Sequence, residues 1–318
     1  MSFKIGEAHR TVPHLIADLV ELLLAVKYEG QTRLHHADVS AILANADRSS
    51  EELDLEESDQ QSSQDDIALE DTWEHLEYRA ARLGSAYPFK IDGDFIEIRD
   101  TFSAEQRVYL FLLTCSRLRS FNNNFRSIWA TAFSELCVFV MRALMPPNAI
   151  IRVFDANSND RKNYYGTDLR EALVKLGEDL CAHHIMVDTC KKQSSSGDAQ
   201  LDIVGVIPFD DAAKGVFAIL GQCAAQEKNW PSKRMEAHPA NLSGFFNLLP
   251  TPSNVCFIPV CYRASNGEWV NEAKATGCLL VDRIRIMSSL TSINACVQIT
   301  NEPWFSHFET NLPQNIPA

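Results

Sequence analysis

Two apolar runs joined by a polar turn dominate the hydrophobic pattern of this chain. Residues 201–207 (LDIVGVI) and 216–220 (VFAIL) each read as a buried strand. Asp202 stands near the head of the first run, and Gly221-Gln222-Cys223 follows the second. A carboxylate there is costly to desolvate, so it is paired, capping or metal-bound.

Around this pair, other elements follow from periodicity. Residues 13–27 place Leu15, Ile16, Leu19, Val20, Leu23 and Val26 on one helical face, with Pro13 in the first turn. A short helix is expected at 35–46 and another at 72–83, then a β-hairpin at 87–99 around Asp92-Gly93. Ser103 and Gln106 form a capping-box pattern opening a helix through Arg119. Residues 126–145 give the clearest long helix, with Ile128, Trp129, Phe133, Leu136, Val140 and Leu144 on its apolar stripe and Glu135 at the stripe's edge. A strand at 149–154 precedes a long connection containing a helix at 168–181. A helix from Pro231, a strand at 255–262 and an apolar run at 277–286 follow, and residues 301–318 read as a loose tail.

Composition narrows the class. The 318 residues are 46% hydrophobic and 9% aromatic, which suits a globular core. Nine cysteines without a regular framework read as reduced thiols, and no run predicts a bilayer span, so a cytoplasmic, non-membrane chain is expected. The formal charge of −13 argues against a nucleic-acid partner only at first sight. Ten of the 42 acids lie in residues 51–71 without a Lys or Arg, leaving about −3 for the rest. Residues 49–71 read as a disordered or extended surface insertion, whose acids would mimic nucleic acid and occlude a groove.

Three helical segments and a hairpin follow the order of a winged helix. The third, WEHLEYRAARL, mixes Glu with Arg and makes a poor groove reader, and the alternative is a helical cap. Cys181, His183, His184 and Cys190 offer soft ligands without the spacing of a common zinc site. Asp282-Arg283-Ile284-Arg285 reads as surface charge, with phosphate contact as the alternative. Phosphate-loop, nucleophile-elbow, zincin and dinucleotide fingerprints are absent from the sequence.

Helix, strand, connection, strand with Asp202, strand with Gln222, helix, strand: this order, with Gly197-Asp198…Asp202 and Ile219-Leu220-Gly221-Gln222-Cys223, resembles the PD-(D/E)XK nuclease superfamily in its Gln variant. The resemblance covers about residues 126–262. It implies an α/β (α+β), restriction-endonuclease-like mixed sheet flanked by helices over 121–300, behind a mainly helical region at 1–120 that carries the hairpin. It also implies an Mg²⁺- or Mn²⁺-dependent DNA endonuclease of a bacterial restriction or anti-phage system, with a regulatory or operon-encoded protein partner and room for a homodimer. Asp202, the Gln222 side chain, the Cys223 carbonyl and Glu135 would serve the metal. The family's lysine position is Ala224, so a cation has to come from Lys233 or, less favourably placed, Lys228. The other reading is a catalytically degenerate subunit that binds without cleaving.

Overall fold

The stripe near the N-terminus folds as α1 (Pro13–Ala25), where Pro13 forgoes an N–H that has no helical partner in any case. The structure, a computed structural model, describes residues 4–5, 9, 11–47 and 55–312, with the backbone alone at 43–47 and 55–66. Strand β1 (Arg33–His35) leads into α2 (His36–Asp47), and α3 (Leu55–Leu83) is one helix of 29 residues. The expectation of an extended acidic insertion is thereby corrected from residue 55 onward; residues 48–54 lie outside the described part. Ala68, Leu69 and Trp73 anchor the helix in the core, and a helix propagates cheaply from an anchored turn.

Hairpin strands β2 (Phe89–Asp92) and β3 (Phe95–Ile98) join β1 in the order β1-β3-β2. The winged-helix order is present, but α3 turns its Trp73, Leu76 and Arg79 inward, so this face is core rather than reader. Helix α4 (Ala104–Ser116) opens on the predicted capping box: Gln106 N–H donates to Ser103 Oγ at 3.3 Å and Ser103 N–H to Gln106 Oε1 at 2.9 Å. Helix α5 (Asn123–Leu144) is the one described helix long and apolar enough to cross a membrane, yet Trp129, Phe133, Leu136 and Val140 are fully buried against the rest of the protein. Its stripe is narrower than predicted, because Ile128 and Leu144 are exposed.

The remaining elements are β4 (Ile150–Val153), α6 (Leu169–Asp179), β5 (His184–Ile185), α7 (Val187–Lys191), β6 (Ile203–Ile207), β7 (Phe217–Cys223), the single turn α8 (Trp230–Lys233), β8 (Phe246–Asn247) and β9 (Ser253–Phe257). After them come α9 (Glu272–Ala275), β10 (Leu279–Val281), α10 (Arg283–Ser292), α11 (Ala295–Thr300) and α12 (Pro303–Asn311). Five strands make a mixed sheet in the order β10-β9-β7-β6-β4. β6 pairs antiparallel with both β4 and β7, whereas β9 pairs parallel with both β7 and β10. The fold is the expected mixed α/β class with flanking helices.

One sheet face (Val153, Ile203, Ile219, Val255) shares a continuous core with α1, α3, α4 and α5. The other face (Val204, Val206, Leu220) packs on α6. No break in packing marks residue 120, and the N-terminal region is a cap on the sheet layer. Gly205 and Gly221 let α5 approach the strands: a Cβ on Gly205 would lie 2.3 Å from Met145 Sδ, and one on Gly221 3.2 Å from Met141 Cε. The loose tail is also corrected for residues 301–312, while 313–318 lie outside the described part. Phe305 and Phe308 of α12 are buried beside Phe111, and Arg107 pairs with Glu309 at 2.5 Å, so aromatic burial outweighs the three prolines from Pro303 on.

Asp282-Arg283 is not surface charge. Asp282 caps α10 and pairs with Arg263 at 2.9 Å. Arg283 reaches Asp18 at 2.8 Å and Glu21 at 3.4 Å, while Arg79 reaches the same two acids at 2.8 and 3.0 Å. Tyr87 and Tyr109 donate to Glu21 at 2.6 and 2.8 Å. All are buried. Burial opposes the Asp18 charge, but Arg283 and Arg79 hold its carboxyl below the ordinary range. Two acids facing two guanidiniums in water's absence form a balanced lock between cap and sheet layer.

Candidate metal centre

Asp202 sits immediately ahead of β6, rather than within it. Its N–H donates to the Gly221 carbonyl at 3.0 Å, which extends the Ile203↔Gly221 register and sets Asp202 opposite Gln222. Its Oδ2 accepts from the Cys223 N–H at 2.6 Å. The Asp202 carbonyl accepts from Phe154 N–H at 2.6 Å and Asp155 N–H at 3.3 Å, so the end of β4 is tied to the head of β6.

That tie brings in an acid the sequence reading passed over. Carboxylate oxygens of Asp155, Asp198 and Asp202 all lie within 4.8 Å of one another. Asp155 Oδ1 accepts from Asn157 N–H at 2.8 Å, and Asp198 Oδ1 from Gln200 N–H at 2.9 Å. Each acid thus spends one oxygen on the backbone. Among the described residues no hydrogen bond reaches Asp155 Oδ2, Asp198 Oδ2 or Asp202 Oδ1.

The loop bearing Asp198 is held in a costly shape. Gly197, Ala199 and Gln200 all have positive φ, at 108°, 52° and 63°. For the two non-glycine residues this costs on the order of 1 kcal/mol each, so the surroundings must enforce it. Arg161, buried in a π-turn (Arg161–Tyr165), supplies that constraint. Its Nη1 donates to the Phe154 carbonyl at 3.1 Å and the Gly197 carbonyl at 3.0 Å. One guanidinium therefore grips the chain just before Asp155 and just before Asp198.

The electrostatics are unfavourable to anions. Burial pushes Asp202 up to about 7; Asp198 and Asp155 add to the rise, while the Cys223 N–H and Lys233 oppose it. Gln222 is 4% exposed, on the sheet face of Leu220, and its Oε1 has no hydrogen-bond partner among the described residues. An orphaned buried carbonyl costs about 1–3 kcal/mol. Three clustered carboxylates with spare oxygens, and an unpaired amide oxygen on the residue opposite Asp202, are all hard oxygen donors, and this chemistry fits a divalent cation such as Mg²⁺ or Mn²⁺.

The other candidates divide. Glu135 is half-buried outside the three-carboxylate group; burial raises its pKa, and Asp160, Glu302 and Asp155 add to the rise, so it lies within electrostatic reach. Lys233 is felt at Asp202 and stands 3.9 Å from Glu236. Its helix is only one turn, shorter than the sequence suggests. Lys228 instead lines a separate cleft. Ala224 is fully buried against Trp230, Tyr262 and Leu15, an apolar site with no place for an ammonium. The Cys181–Cys190 set does not converge among the described residues, and all nine cysteines are free thiols.

Asp155 was hidden because its meeting with Asp202 depends on pairing of strands some fifty residues apart in sequence. The local signal was slight: an acid ending a predicted strand. Comparison with protein-family models, curated proteins and solved structures finds no match to this chain.

Proposed function

We propose that the chain is a metal-dependent phosphodiesterase of the nuclease type, acting on DNA, with Asp155, Asp198, Asp202 and Gln222 holding Mg²⁺ or Mn²⁺. The observation that carries this reading is the unpaired Gln222 Oε1 on the residue opposite Asp202, itself one of three clustered carboxylates that each keep one oxygen open. The antiparallel β4-β6-β7 meander followed by parallel β9 supports it too, as the order of elements the resemblance implies.

The cation would polarise a bound phosphate and raise the acidity of water. The residues have their own tasks. Cys223 N–H holds the Asp202 carboxylate through Oδ2 and leaves Oδ1 without a hydrogen bond. Arg161 fixes the spacing of the two loop acids. Lys233, whose charge is felt at Asp202, would meet phosphate charge that the carboxylates repel. Glu135 adds a half-buried carboxylate near Asp155. The assignment to DNA, to a restriction or anti-phage system in the cytoplasm, and to a regulatory partner rests on the sequence resemblance.

The second reading, a binding subunit without turnover, draws on Ala224, whose site is sealed by Trp230. Incubation with plasmid DNA and Mg²⁺ or Mn²⁺ separates the two. Cleavage that Asp202→Asn abolishes supports the enzyme; metal-independent DNA binding with no product in any condition supports the subunit.

A further inference from the structure

A second concavity lies where the start of α1 meets the segment after β7. It measures about 640 Å³, within the range of small-ligand sites. Trp230 and Tyr262 form its floor, edge to face at 4.7 Å, and His14 meets Tyr262 edge to face at 5.4 Å. All three rings are at least 95% buried. Even so, the buried His75 Nδ1 in the lining has no hydrogen-bond partner among the described residues. Burial pushes His14 down to about 3 and His75 down to about 4, so each neutral ring offers one donor and one acceptor.

The mouth has the opposite character. Lys274 and Lys228 stand on it. The one carboxylate in the lining, Glu227, is neutralised by Arg117 at 2.5 Å and lies 3.3 Å from His9 Nε2. The 13-residue α1 begins here, with no side-chain cap and no acid in its first turn, so its positive end adds to the field. An aromatic floor and an unspent His75 nitrogen beneath a cationic rim match a flat heteroaromatic ring carrying an anion.

We infer that this cleft is a nucleotide-binding site, with a base at the ring edges of Trp230, Tyr262 and His75 and its phosphate held between Lys274 and the start of α1. The occupant can be a free nucleotide or one residue of a nucleic-acid strand. Trp230 of the cleft and Lys233, whose charge is felt at Asp202, are the two ends of α8. The inference does not depend on hydrolysis.

Calorimetric titration of the intact chain in EDTA tests it, with ribonucleoside 5′-monophosphates in one arm and a single-stranded oligonucleotide in the other. Saturable 1:1 binding is expected, weakened about tenfold or more by Lys274→Glu and by Val270→Asp, two exposed positions whose variants keep the wild-type melting temperature. Binding of mononucleotides points to a free ligand, and binding of the strand alone to nucleic acid. No saturation at about 1 mM in either arm overturns the assignment, as does binding indifferent to both variants. Because EDTA removes the metal, failure here leaves the carboxylate centre untouched, and failure of cleavage leaves the cleft untouched.

Discussion

Arg161 Nη1 donates to the Gly197 carbonyl at 3.0 Å and, with the same nitrogen, to the Phe154 carbonyl at 3.1 Å. The residues that follow these carbonyls, Asp198 and Asp155, are two of the three clustered acids. Arg161→Lys keeps the charge but loses the planar fork, so the loops separate. Mn²⁺ affinity, read by electron paramagnetic resonance, should fall about tenfold while circular dichroism stays native. Unchanged affinity would remove Arg161 from the account.

The buried Asp202 carboxylate makes stability depend on pH. Its folded pKa of about 7 stands above the ordinary carboxylate value, so the folded state holds its proton more tightly. That favourable difference is present below the unfolded pKa and is lost as pH rises through about 7. In EDTA, Asp202→Asn should therefore raise the melting temperature by a few degrees at pH 8 and by less at pH 6. A destabilised variant at pH 8 contradicts the desolvation argument.

The buried histidines work in the other direction. With His14 near 3 and His75 near 4, the unfolded chain takes up protons that the folded chain refuses. Stability from this source is full above about 6.5 and declines as pH falls towards 4, by up to about 1.4 kcal/mol per pH unit for each ring. In the Asp202→Asn background, His75→Gln should lower the slope of stability against pH between 6 and 4.5 by about one proton. Equal slopes would contradict it.

The lock of Asp18, Glu21, Arg79 and Arg283 should be intolerant of single changes. Arg283→Met leaves two buried carboxylates with one guanidinium and should cost about 3–5 kcal/mol in urea unfolding. A cost below about 1 kcal/mol would show that water reaches the network. Phe308→Ala should cost about 3–5 kcal/mol as well, since α12 fills the core beside Phe111 and Trp129. A loose tail would lose nothing.

What could be read from the sequence was local. The α1 stripe, the Ser103–Gln106 box, the 92–93 hairpin and the β6–β7 pair each rest on spacing within a few residues. Asp18 and Glu21 were visible inside an apolar helix, but their partners lie 61 and 262 residues away in Arg79 and Arg283, and only the fold joins them. The acidic half of α3 was obscured because its anchor, from Ala68 onward, comes after the polar stretch. In α12, Phe305 and Phe308 are spaced for one helical face, a signal outweighed by the surrounding prolines. Asp202 and Gln222 were legible from the resemblance and from the strand pattern, whereas Asp155 needed the β4–β6 register.

The metal centre itself is tested most directly by crystals of the protein soaked in Mn²⁺ and an anomalous difference map. The account predicts a peak contacting Asp155 Oδ2, Asp198 Oδ2 and Asp202 Oδ1, with the Gln222 amide oxygen turned towards it, and loss of that peak in Asp202→Asn. A map without density among these oxygens, while Mn²⁺ is bound elsewhere, would contradict it.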